Sequence, residues 1–319
     1  YIRKFFTGKK IMLISDDHVF PLYGKTVLDS LKDYECYSLV LPHGEPTKSF
    51  QTLPQIYSAM LDARLTRSDL VIALGGGVIA ASSFLRGVRL VQIPTSLLAQ
   101  VDSSVGGKVA VDLPQGKNLV GAFFHPKAVI IDPDVLNTLP PHFISDGMGE
   151  VIKYGCIKDK TLFDTLVCHT SFEDLKPKLT RIIARCVDIK RIVVEHDQFD
   201  TGERMLLNFG HTLAHTIEQY YNYERESHGE AVGIGMYQIT RLAEEKGLTA
   251  TGCADAIKKA LDIYRLPDHC DLPMSSLTDA IALDKKNLNN HLNLVLLHTI
   301  GDSYVHPDCL AFFDGAGQI

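Results

Sequence analysis

The sequence predicts two domains, an α/β domain followed by a mainly α-helical domain. Short β-branched runs alternate with helical stretches over the first 140 residues, which is typical of a parallel sheet covered by helices. From Ile144 onward, apolar residues recur every three or four positions and predict long amphipathic helices. The run Leu139-Pro140-Pro141 separates the two patterns, because paired prolines stop a helix or a strand. We therefore expect domains over residues 1–140 and 141–319.

Five runs in the first domain are predicted to be buried strands, because they are short, apolar and rich in β-branched residues. They cover residues 10–15, 36–41, 70–74, 89–93 and 128–131. In the second domain, five segments show the apolar period of helices. They cover residues 143–158, 175–195, 205–221, 229–246 and 251–264.

Composition argues against several classes of protein. The 319 residues are 45% hydrophobic and 22% charged, which is ordinary for a globular chain with a large core. The net charge is −6 without blocks of like charge, so we expect neither a nucleic-acid nor a membrane partner. The most apolar run, residues 70–85, is interrupted by three glycines and is too short to span a bilayer. The seven cysteines are scattered without a C-x-x-C pair, which favours free thiols and a cytoplasmic location.

Three histidines and a glutamate form a candidate metal site. His211 and His215 lie one helical turn apart in G-H-T-L-A-H, and His228 follows in S-H-G-E-A-V. Glu150, in G-M-G-E-V-I-K-Y-G, is the candidate carboxylate ligand, since one Glu with two His is a known catalytic zinc set. By spacing alone, His211 and His215 would be the paired ligands, although any one of these histidines could instead be a core residue. No Glu follows His211 directly, which disfavours a peptidase.

Glycines and strand ends in the first domain indicate a nucleotide site. The segment D-L-V-I-A-L-G-G-G-V-I is a strand that runs into three glycines, whose bare backbone can approach a phosphate. Ser15-Asp16 ends the first strand, and Glu45 and Lys48 follow the second. Nucleotides dock at strand ends along one edge of such a sheet. A glycine turn after a strand also occurs for purely geometric reasons, so this pattern alone is a weak signal.

Several cations predict an anionic substrate. Residues 101–118 carry Asp102, Lys108, Lys117 and Asn118 on a glycine-bearing, hairpin-like stretch that suits a phosphate. Four further cations lie in segments that otherwise look buried, namely Arg86, Lys153, Lys190 and Arg204. A substrate with several negative groups would explain them. The plain alternatives are a solvated turn for the first group and a surface ion pair between Glu150 and Lys153.

Together these segments resemble the 3-dehydroquinate synthase family of sugar phosphate cyclases. The motifs that carry the resemblance are G-G-G-V-I, L-R-G-V-R, I-P-T-S-L-L-A-Q-V-D-S-S-V-G-G-K, G-K-N-L-V-G-A-F, E-V-I-K-Y-G, R-M-L-L-N-F-G-H-T, H-G-E-A-V-G-I-G-M and D-K-K-N. They occur in the family's order, and the resemblance as a whole runs from about Ser15 to about Gly301. Such long motifs are far more specific than a short glycine pattern.

The resemblance implies an amino-terminal NAD-binding α/β domain and a helical, metal-binding carboxy-terminal domain, with the active site between them. Zinc or cobalt would bind Glu150, His211 and His228, and His215 would face the substrate as a proton-transfer residue instead of a ligand. NAD would contact the residues at the family's cofactor positions, which are Asp16, Glu45, Lys48, Gly75, Gly76, Gly77, Thr95, Ser96, Asp102, Lys117 and Thr138.

The implied reaction converts DAHP, a seven-carbon phosphorylated keto acid, into 3-dehydroquinate and phosphate in the shikimate pathway. NAD is used and then regenerated, because oxidation of a hydroxyl acidifies the neighbouring carbon, phosphate leaves, hydride returns and an aldol step closes the ring. The leaving phosphate would be held by Arg86, Lys108, Asn118 and Arg204. The carboxylate would be held by Lys190, Asn208 and either Lys285 or Lys286. The residues implied in catalysis are Lys153, His215, Asp102 and Arg204, and the family likeness also implies a homodimer.

The chain departs from the family's pattern in two places. Ala214 replaces a usual glycine in G-H-x-x-G-H, a small change that we expect to be tolerated. The other departure follows Ile79. Family members continue G-G-G-V-I into G-D-x-x-G-F, whereas Ile79 here runs directly into Ala80. About six residues are absent, including an aspartate that normally contacts NAD. We expect the intact protein to contain this segment, because its loss would remove the phosphate-facing end of a helix.

Three other functions compete with this one. A cyclase acting on a neutral sugar phosphate, such as glucose 6-phosphate, would leave Lys190 without a carboxylate partner. A metal-dependent alcohol or polyol dehydrogenase would release NADH and, because its substrate is uncharged, would leave these cations without a role. A non-enzymatic relic that binds NAD or metal is disfavoured because all three candidate ligands are present.

Overall fold

The computed structural model describes residues 2–76, 80–113, 116–200, 202–272, 293–307 and 311–313. The chain divides into two compact units, Tyr1–Leu139 and Pro140–Ile319. The first unit has an α/β fold and the second is mainly helical, which confirms the predicted fold class.

The amino-terminal unit is built on a five-stranded parallel sheet with the order β2-β1-β3-β4-β7. The strands of this unit, including a separate hairpin β5–β6, are β1 (Lys10–Asp16), β2 (Glu35–Leu41), β3 (Leu70–Leu74), β4 (Arg89–Ile93), β5 (Lys108–Leu113), β6 (Gly116–Phe123) and β7 (Ala128–Val129). Its helices are α1 (Lys25–Ser30), α2 (Leu53–Asp62) and α3 (Ala80–Ser83).

The central strands are apolar throughout because both faces of the sheet are covered. Met12 and Val71 pack into the core on one face, whereas Leu13 and Ile72 pack into the core on the other. All five predicted strands are present, and four of them end within one residue of the predicted bounds. The fifth strand is shorter than predicted and ends at Val129.

Strand β1 lies at the point where the order of the sheet reverses. The chain moves to one side of the sheet from β1 to β2 and to the other side from β3 to β4. Such a reversal opens a crevice at the carboxyl ends of the two central strands, where nucleotides bind in this class of sheet. Asp16 ends β1, and Gly75 follows β3 directly.

The hairpin-like stretch predicted over residues 101–118 is only partly a hairpin. Lys108, Lys117 and Asn118 do lie on the antiparallel pair β5–β6. Asp102, however, lies on a helical turn over Ala99–Ser103, so its predicted place is wrong. The turn begins after Ser96, whose Oγ accepts a hydrogen bond from the backbone N–H of Ala99 at 3.2 Å.

The carboxy-terminal unit consists of packed helices and one hairpin. Its described elements are α4 (Pro141–Lys158), α5 (Lys160–Val167), α6 (Phe172–Leu175), α7 (Leu179–His196), α8 (His211–Tyr220), α9 (His228–Glu245), α10 (Cys253–Ile263), β8 (Leu294–Thr299) and β9 (Asp302–His306). Across the described residues, no helix combines the length and the hydropathy that a membrane span requires.

Two of the predicted helices need correction. Residues 205–221 form a 3-10 turn over Glu203–Asn208 followed by α8, because Gly210 adopts a left-handed φ of 80° between them. The helix predicted from residue 175 begins only at Leu179, after a 3-10 turn that contains Pro177 near its start. Both breaks preserve the apolar spacing, so the period alone does not reveal them.

Helix α9 approaches its neighbours at glycines. A Cβ on Gly229 would lie 1.9 Å from the backbone oxygen of Asp146, and one on Gly149 would lie 2.6 Å from the backbone oxygen of Gly229. A Cβ on Gly235 would lie 2.1 Å from the backbone oxygen of Gly210. Helix α4 and the start of α8 therefore pack backbone against backbone on α9, which only glycine allows.

We expect Gly229→Ala to lower the free energy of unfolding by about 1–3 kcal/mol, because the added methyl group must displace the backbone of α4. Lys259→Ala, on the exposed face of α10, is the control and should change this free energy by less than about 0.5 kcal/mol. Denaturant unfolding measures both variants. Equal stability of the two would show that α4 and α9 can separate freely.

Candidate functional site

Three side chains from three helices meet at a candidate metal centre. Glu150 lies within α4, whereas His211 and His228 are the first residues of α8 and α9. One possible ligand atom from each lies within 4.8 Å of the other two. The Nε2 atoms of His211 and His228 are 3.3 and 3.4 Å from the same oxygen, Oε1 of Glu150. The structure thus brings together the three residues that the family resemblance assigns to the metal.

The surroundings of these atoms fit a divalent cation. Nδ1 of His211 is 3.1 Å from the carbonyl oxygen of Phe209, and Nδ1 of His228 is 3.4 Å from Oε1 of Glu218. If each Nδ1 donates its proton to the oxygen that it faces, the lone pair of each ring lies on Nε2 and points toward Glu150. Within the described part of the chain, the two buried oxygens of Glu150 accept no hydrogen bond of good geometry. A cation between the three residues would satisfy Oε1 of Glu150 and both Nε2 atoms at once.

Glu150 and Lys153 form a buried ion pair. Their exposed fractions are 0% and 1%, and Nζ of Lys153 lies against Oε2 of Glu150. Burial opposes ionisation of the carboxyl group, but the charge of Lys153 and the two imidazoles outweigh it and hold the pKa of Glu150 well below its usual value. The alternative of an exposed surface ion pair is therefore wrong.

The pKa values of His211 and His228 are shifted in opposite directions. Burial and the positive charge of Lys153 lower the pKa of His211, so this ring is neutral near pH 7. Burial also disfavours the charged form of His228, but the carboxylates of Glu150 and Glu218 outweigh it and raise its pKa to about 10. In the metal-free protein, His228 therefore holds a proton that an incoming cation must displace.

His215 lies beside the centre without joining it. Its ring centroid is 5.5 Å from that of His211 and 6.5 Å from that of His228. The expectation from spacing alone, that His211 and His215 are the paired ligands, is corrected, because the donor atoms that converge belong to His211, His228 and Glu150. Although His215 is exposed, desolvation by its surroundings is the main cause that lowers its pKa to about 4. The neutral ring can accept a proton near pH 7.

The carboxyl edge of the sheet gathers several candidate NAD residues. A Cβ on Gly75 would lie 3.4 Å from Oδ2 of Asp16 and 3.7 Å from Oγ1 of Thr95, so these three residues are neighbours. Gly75 has a φ of 105°, which favours glycine. A Cβ on Gly76 would meet no described atom within 4 Å, so the backbone is open to a ligand at this point.

A second group of candidates forms where the loop after β2 meets the β5–β6 hairpin. Glu45 pairs with Lys48 at 3.4 Å and with Lys117 at 4.0 Å. The ammonium group of Lys48 donates a hydrogen bond to Oδ1 of Asn118 and lies 3.5 Å from Oδ1 of Asp112. Three candidate NAD residues therefore lie together with Asn118, a candidate phosphate contact.

The other candidate substrate residues differ in exposure. Lys190 on α7 and Arg204 on the 3-10 turn before α8 are buried. The exposed candidates are Arg86, Lys108 and Asn208.

Two further NAD candidates make hydrogen bonds inside their own turns. The hydroxyl of Thr138 donates to the carbonyl oxygen of Val135 at 3.1 Å, and Ser96 accepts from Ala99 as described above. The candidates that lie outside the described residues are Gly77, Lys285 and Lys286, together with Ile79, where the chain departs from the family's pattern.

Two buried carboxylates near the centre were not among the predicted site residues. Glu218 faces Nδ1 of His228, and Oδ1 of Asp146 accepts a hydrogen bond from the backbone N–H of Gly229 at 2.6 Å. A sequence signal exists for Glu218, which follows His211 by seven residues and so lies on the same face of its helix. The contacts with α9 arise only from packing between helices.

Comparison with known proteins shows the family. Residues 38–146 match the family model described as 3-dehydroquinate synthase N-terminal, and residues 147–287 match 3-dehydroquinate synthase C-terminal. The 3-dehydroquinate synthase of Clostridium botulinum (strain Alaska E43 / Type E3) is 56% identical over 321 residues, covering 98% of this chain and 92% of that protein. The chain belongs to the 3-dehydroquinate synthase family. This confirms the resemblance seen in the motifs.

Two solved cyclases share the fold of this 3-dehydroquinate synthase family member. One is 2-epi-5-epi-valiolone synthase from Streptomyces hygroscopicus subsp. jinggangensis 5008 with NAD+ and Zn2+ bound, with a TM-score of 0.87, 26% identity, and coverage of 94% of this chain and 87% of that chain. The other is 2-deoxy-scyllo-inosose synthase complexed with carbaglucose-6-phosphate, NAD+ and Co2+, with a TM-score of 0.86, 26% identity, and coverage of 98% and 90%.

We expect the metal-free protein to release about one proton per Zn2+ bound between about pH 7 and 9, because His228 is then protonated whereas His211 and Glu150 are not. The affinity for Zn2+ should rise about tenfold per pH unit over this range, since the cation competes with that proton. Titration calorimetry in buffers of different ionisation enthalpy measures the proton count. The His215→Ala variant is the control and should release the same number of protons, because His215 is already neutral. Binding without proton release would contradict the assigned state of His228.

Proposed function

We propose that this protein is a 3-dehydroquinate synthase that converts DAHP into 3-dehydroquinate and phosphate in the shikimate pathway. The observation that carries the proposal is the 56% identity to the Clostridium botulinum enzyme over 98% of the chain. The cluster of Glu150, His211 and His228 supports it, because this reaction needs a cation that polarises a hydroxyl and then a ketone.

NAD and either Zn2+ or Co2+ are the proposed cofactors, because one related cyclase binds NAD+ with Zn2+ and the other binds NAD+ with Co2+. When bound, NAD would accept and return a hydride, and the cation would polarise the reacting oxygens. The residues proposed to hold the cation are Glu150, His211 and His228. By family likeness, the residues proposed to hold NAD are Asp16, Glu45, Lys48, Gly75, Gly76, Gly77, Thr95, Ser96, Asp102, Lys117 and Thr138.

The side chains beside the centre would manage protons and charge. His215 is neutral near pH 7, so it could take the proton of the reacting hydroxyl and return it later. Lys153 keeps Glu150 ionised as a ligand and would place a positive charge beside developing negative charge on the substrate. Asp102 and Arg204 complete the proposed catalytic set.

Buried cations support a substrate with both a carboxylate and a phosphate. Lys190 and Arg204 are held inside the carboxy-terminal unit, where anionic groups bind cations strongly. By family likeness, the carboxylate would be bound by Lys190, Asn208 and Lys285 or Lys286. The phosphate would be bound by Arg86, Lys108, Asn118 and Arg204. A cyclase specific for glucose 6-phosphate is the second candidate, but the solved cyclases are only 26% identical to this chain.

Purified protein loaded with Zn2+ should release phosphate from DAHP when NAD is present, without steady accumulation of NADH. Removal of the cation by a chelator should abolish the activity, and Zn2+ or Co2+ should restore it. Glu150→Gln should lower kcat/KM at least about 100-fold, because it removes a charged ligand from the cation. Glu173→Gln, a substitution of an exposed glutamate on α6, should leave it unchanged. Turnover of glucose 6-phosphate in place of DAHP would overturn the proposal, and so would net NADH production from an uncharged polyol.

A homodimer and a cytoplasmic location complete the proposal. The location rests on the scattered cysteines, and the six that the structure describes are free thiols. The dimer rests on the family likeness and on the outer strand of the hairpin, because β6 pairs only with β5 among the described strands. Its side chains Leu119, Val120 and Phe123 are exposed. An unpaired strand edge with exposed apolar side chains favours contact with a second copy.

Light scattering after gel filtration should therefore give twice the chain mass of 35.3 kDa. Leu119→Glu should shift the population toward monomer, because it places a charge in the proposed contact. Leu61→Glu, at an exposed leucine on α2, is the matched control and should remain dimeric. Dimers that persist in Leu119→Glu, or a monomeric parent protein, would exclude this surface as the dimer contact.

A further inference from the structure

We propose that Glu218 is a positioning residue for His228, an inference that rests on the proposed metal centre. Glu218 is 7% exposed, and its Oε1 lies 3.4 Å from Nδ1 of His228. The opposite nitrogen of the same ring, Nε2, lies 3.4 Å from Oε1 of Glu150. The ring of His228 is therefore held between two carboxylates, one of which is a proposed ligand and the other of which is not.

The position of Glu218 in the fold links two of the proposed ligands. Glu218 is on α8, two turns beyond His211 and on the same face, whereas His228 begins α9. Helix α8 thus supplies one proposed ligand, His211, and also the carboxylate that orients a second one, His228. The backbone contact between Gly210 and Gly235 fixes the spacing between these helices, so the reach of Glu218 toward His228 is set by rigid elements.

The carboxylate would select the form of His228 that binds metal. When Glu218 accepts a hydrogen bond from Nδ1–H, the lone pair of the neutral ring is on Nε2, on the side that faces Glu150. A charged acceptor also makes the ring a stronger donor to a cation than a neutral acceptor does. His211 differs in this respect, because its Nδ1 faces a backbone carbonyl, that of Phe209, at 3.1 Å.

Charge balance supports the same role. A divalent cation at this centre would face Glu150, whose second oxygen already contacts Lys153. One carboxylate would then have to compensate both a dication and a buried ammonium group, which is unfavourable in a desolvated site. Glu218 supplies a second buried negative charge behind His228 without occupying a coordination position.

The test is the affinity of the chelated and reloaded protein for Co2+, measured by competition with a chelator of known affinity. Glu218→Gln keeps the shape of the side chain and removes its charge, and should weaken Co2+ binding about 10–100-fold. The visible absorption bands of bound Co2+ should also shift, because they report the ligand field of His228. Glu218→Ala, which removes the acceptor as well, should bind at least as weakly as Glu218→Gln.

A merely structural ion pair between Glu218 and His228 predicts a different result. Removing it would lower the unfolding midpoint of the metal-free protein while leaving the Co2+ affinity and spectrum unchanged, and that result would overturn the inference. Glu224→Gln, at an exposed glutamate beyond the end of α8, should match the parent protein in every measurement. Parent protein that binds Co2+ but lacks DAHP turnover would contradict the proposed function alone, whereas parent protein that fails to bind Co2+ would contradict both.

Discussion

The carboxylate of Glu150, which has no access to water, constrains how the helices of the carboxy-terminal unit pack. A buried anion is tolerated only when cations or hydrogen bonds compensate it. Lys153 compensates Glu150 from the next turn of the same helix, which requires no tertiary contact. Oε1 of Glu150 faces imidazoles from two other helices, which reach it only when α4, α8 and α9 pack closely. The candidate metal centre and the core of this unit are therefore parts of one arrangement.

Glycine makes that arrangement possible. Packed helices usually lie 8–10 Å apart, and the absence of Cβ atoms allows the near end of this range. Each proposed ligand is adjacent in the chain to a glycine at which two helices touch, in the pairs Gly149-Glu150, Gly210-His211 and His228-Gly229. The contact that brings two backbones together also carries the neighbouring side chain into the centre. A methyl group at one of these glycines would move a ligand as well as a helix.

The sequence predicts well those features that depend on local pattern. Strands buried on both faces are continuous apolar runs, and four of the five end within one residue of the prediction. Helix breaks are predicted poorly, because Gly210 changes the backbone direction without disturbing the apolar period. The pairing of His211 with His228 comes from the family motifs, whereas helical spacing alone favours His215. Glu218 is missed because its carboxylate meets a ring on another helix, and no spacing within one segment encodes that contact.

Glycine-rich motifs in this chain serve two opposite physical purposes that their sequences do not distinguish. At Gly76 no atom of the described residues occupies the space that a Cβ would fill, which suits a backbone that receives a ligand. At Gly229 the same space is filled by the backbone of α4, which suits a backbone that receives another helix. H-G-E-A-V-G-I-G-M has as many glycines as the G-G-G run, yet its first and last glycines are packing positions. A glycine therefore marks a binding surface when the space of its missing side chain is open and a core contact when another backbone fills it. The tertiary structure decides which of the two applies.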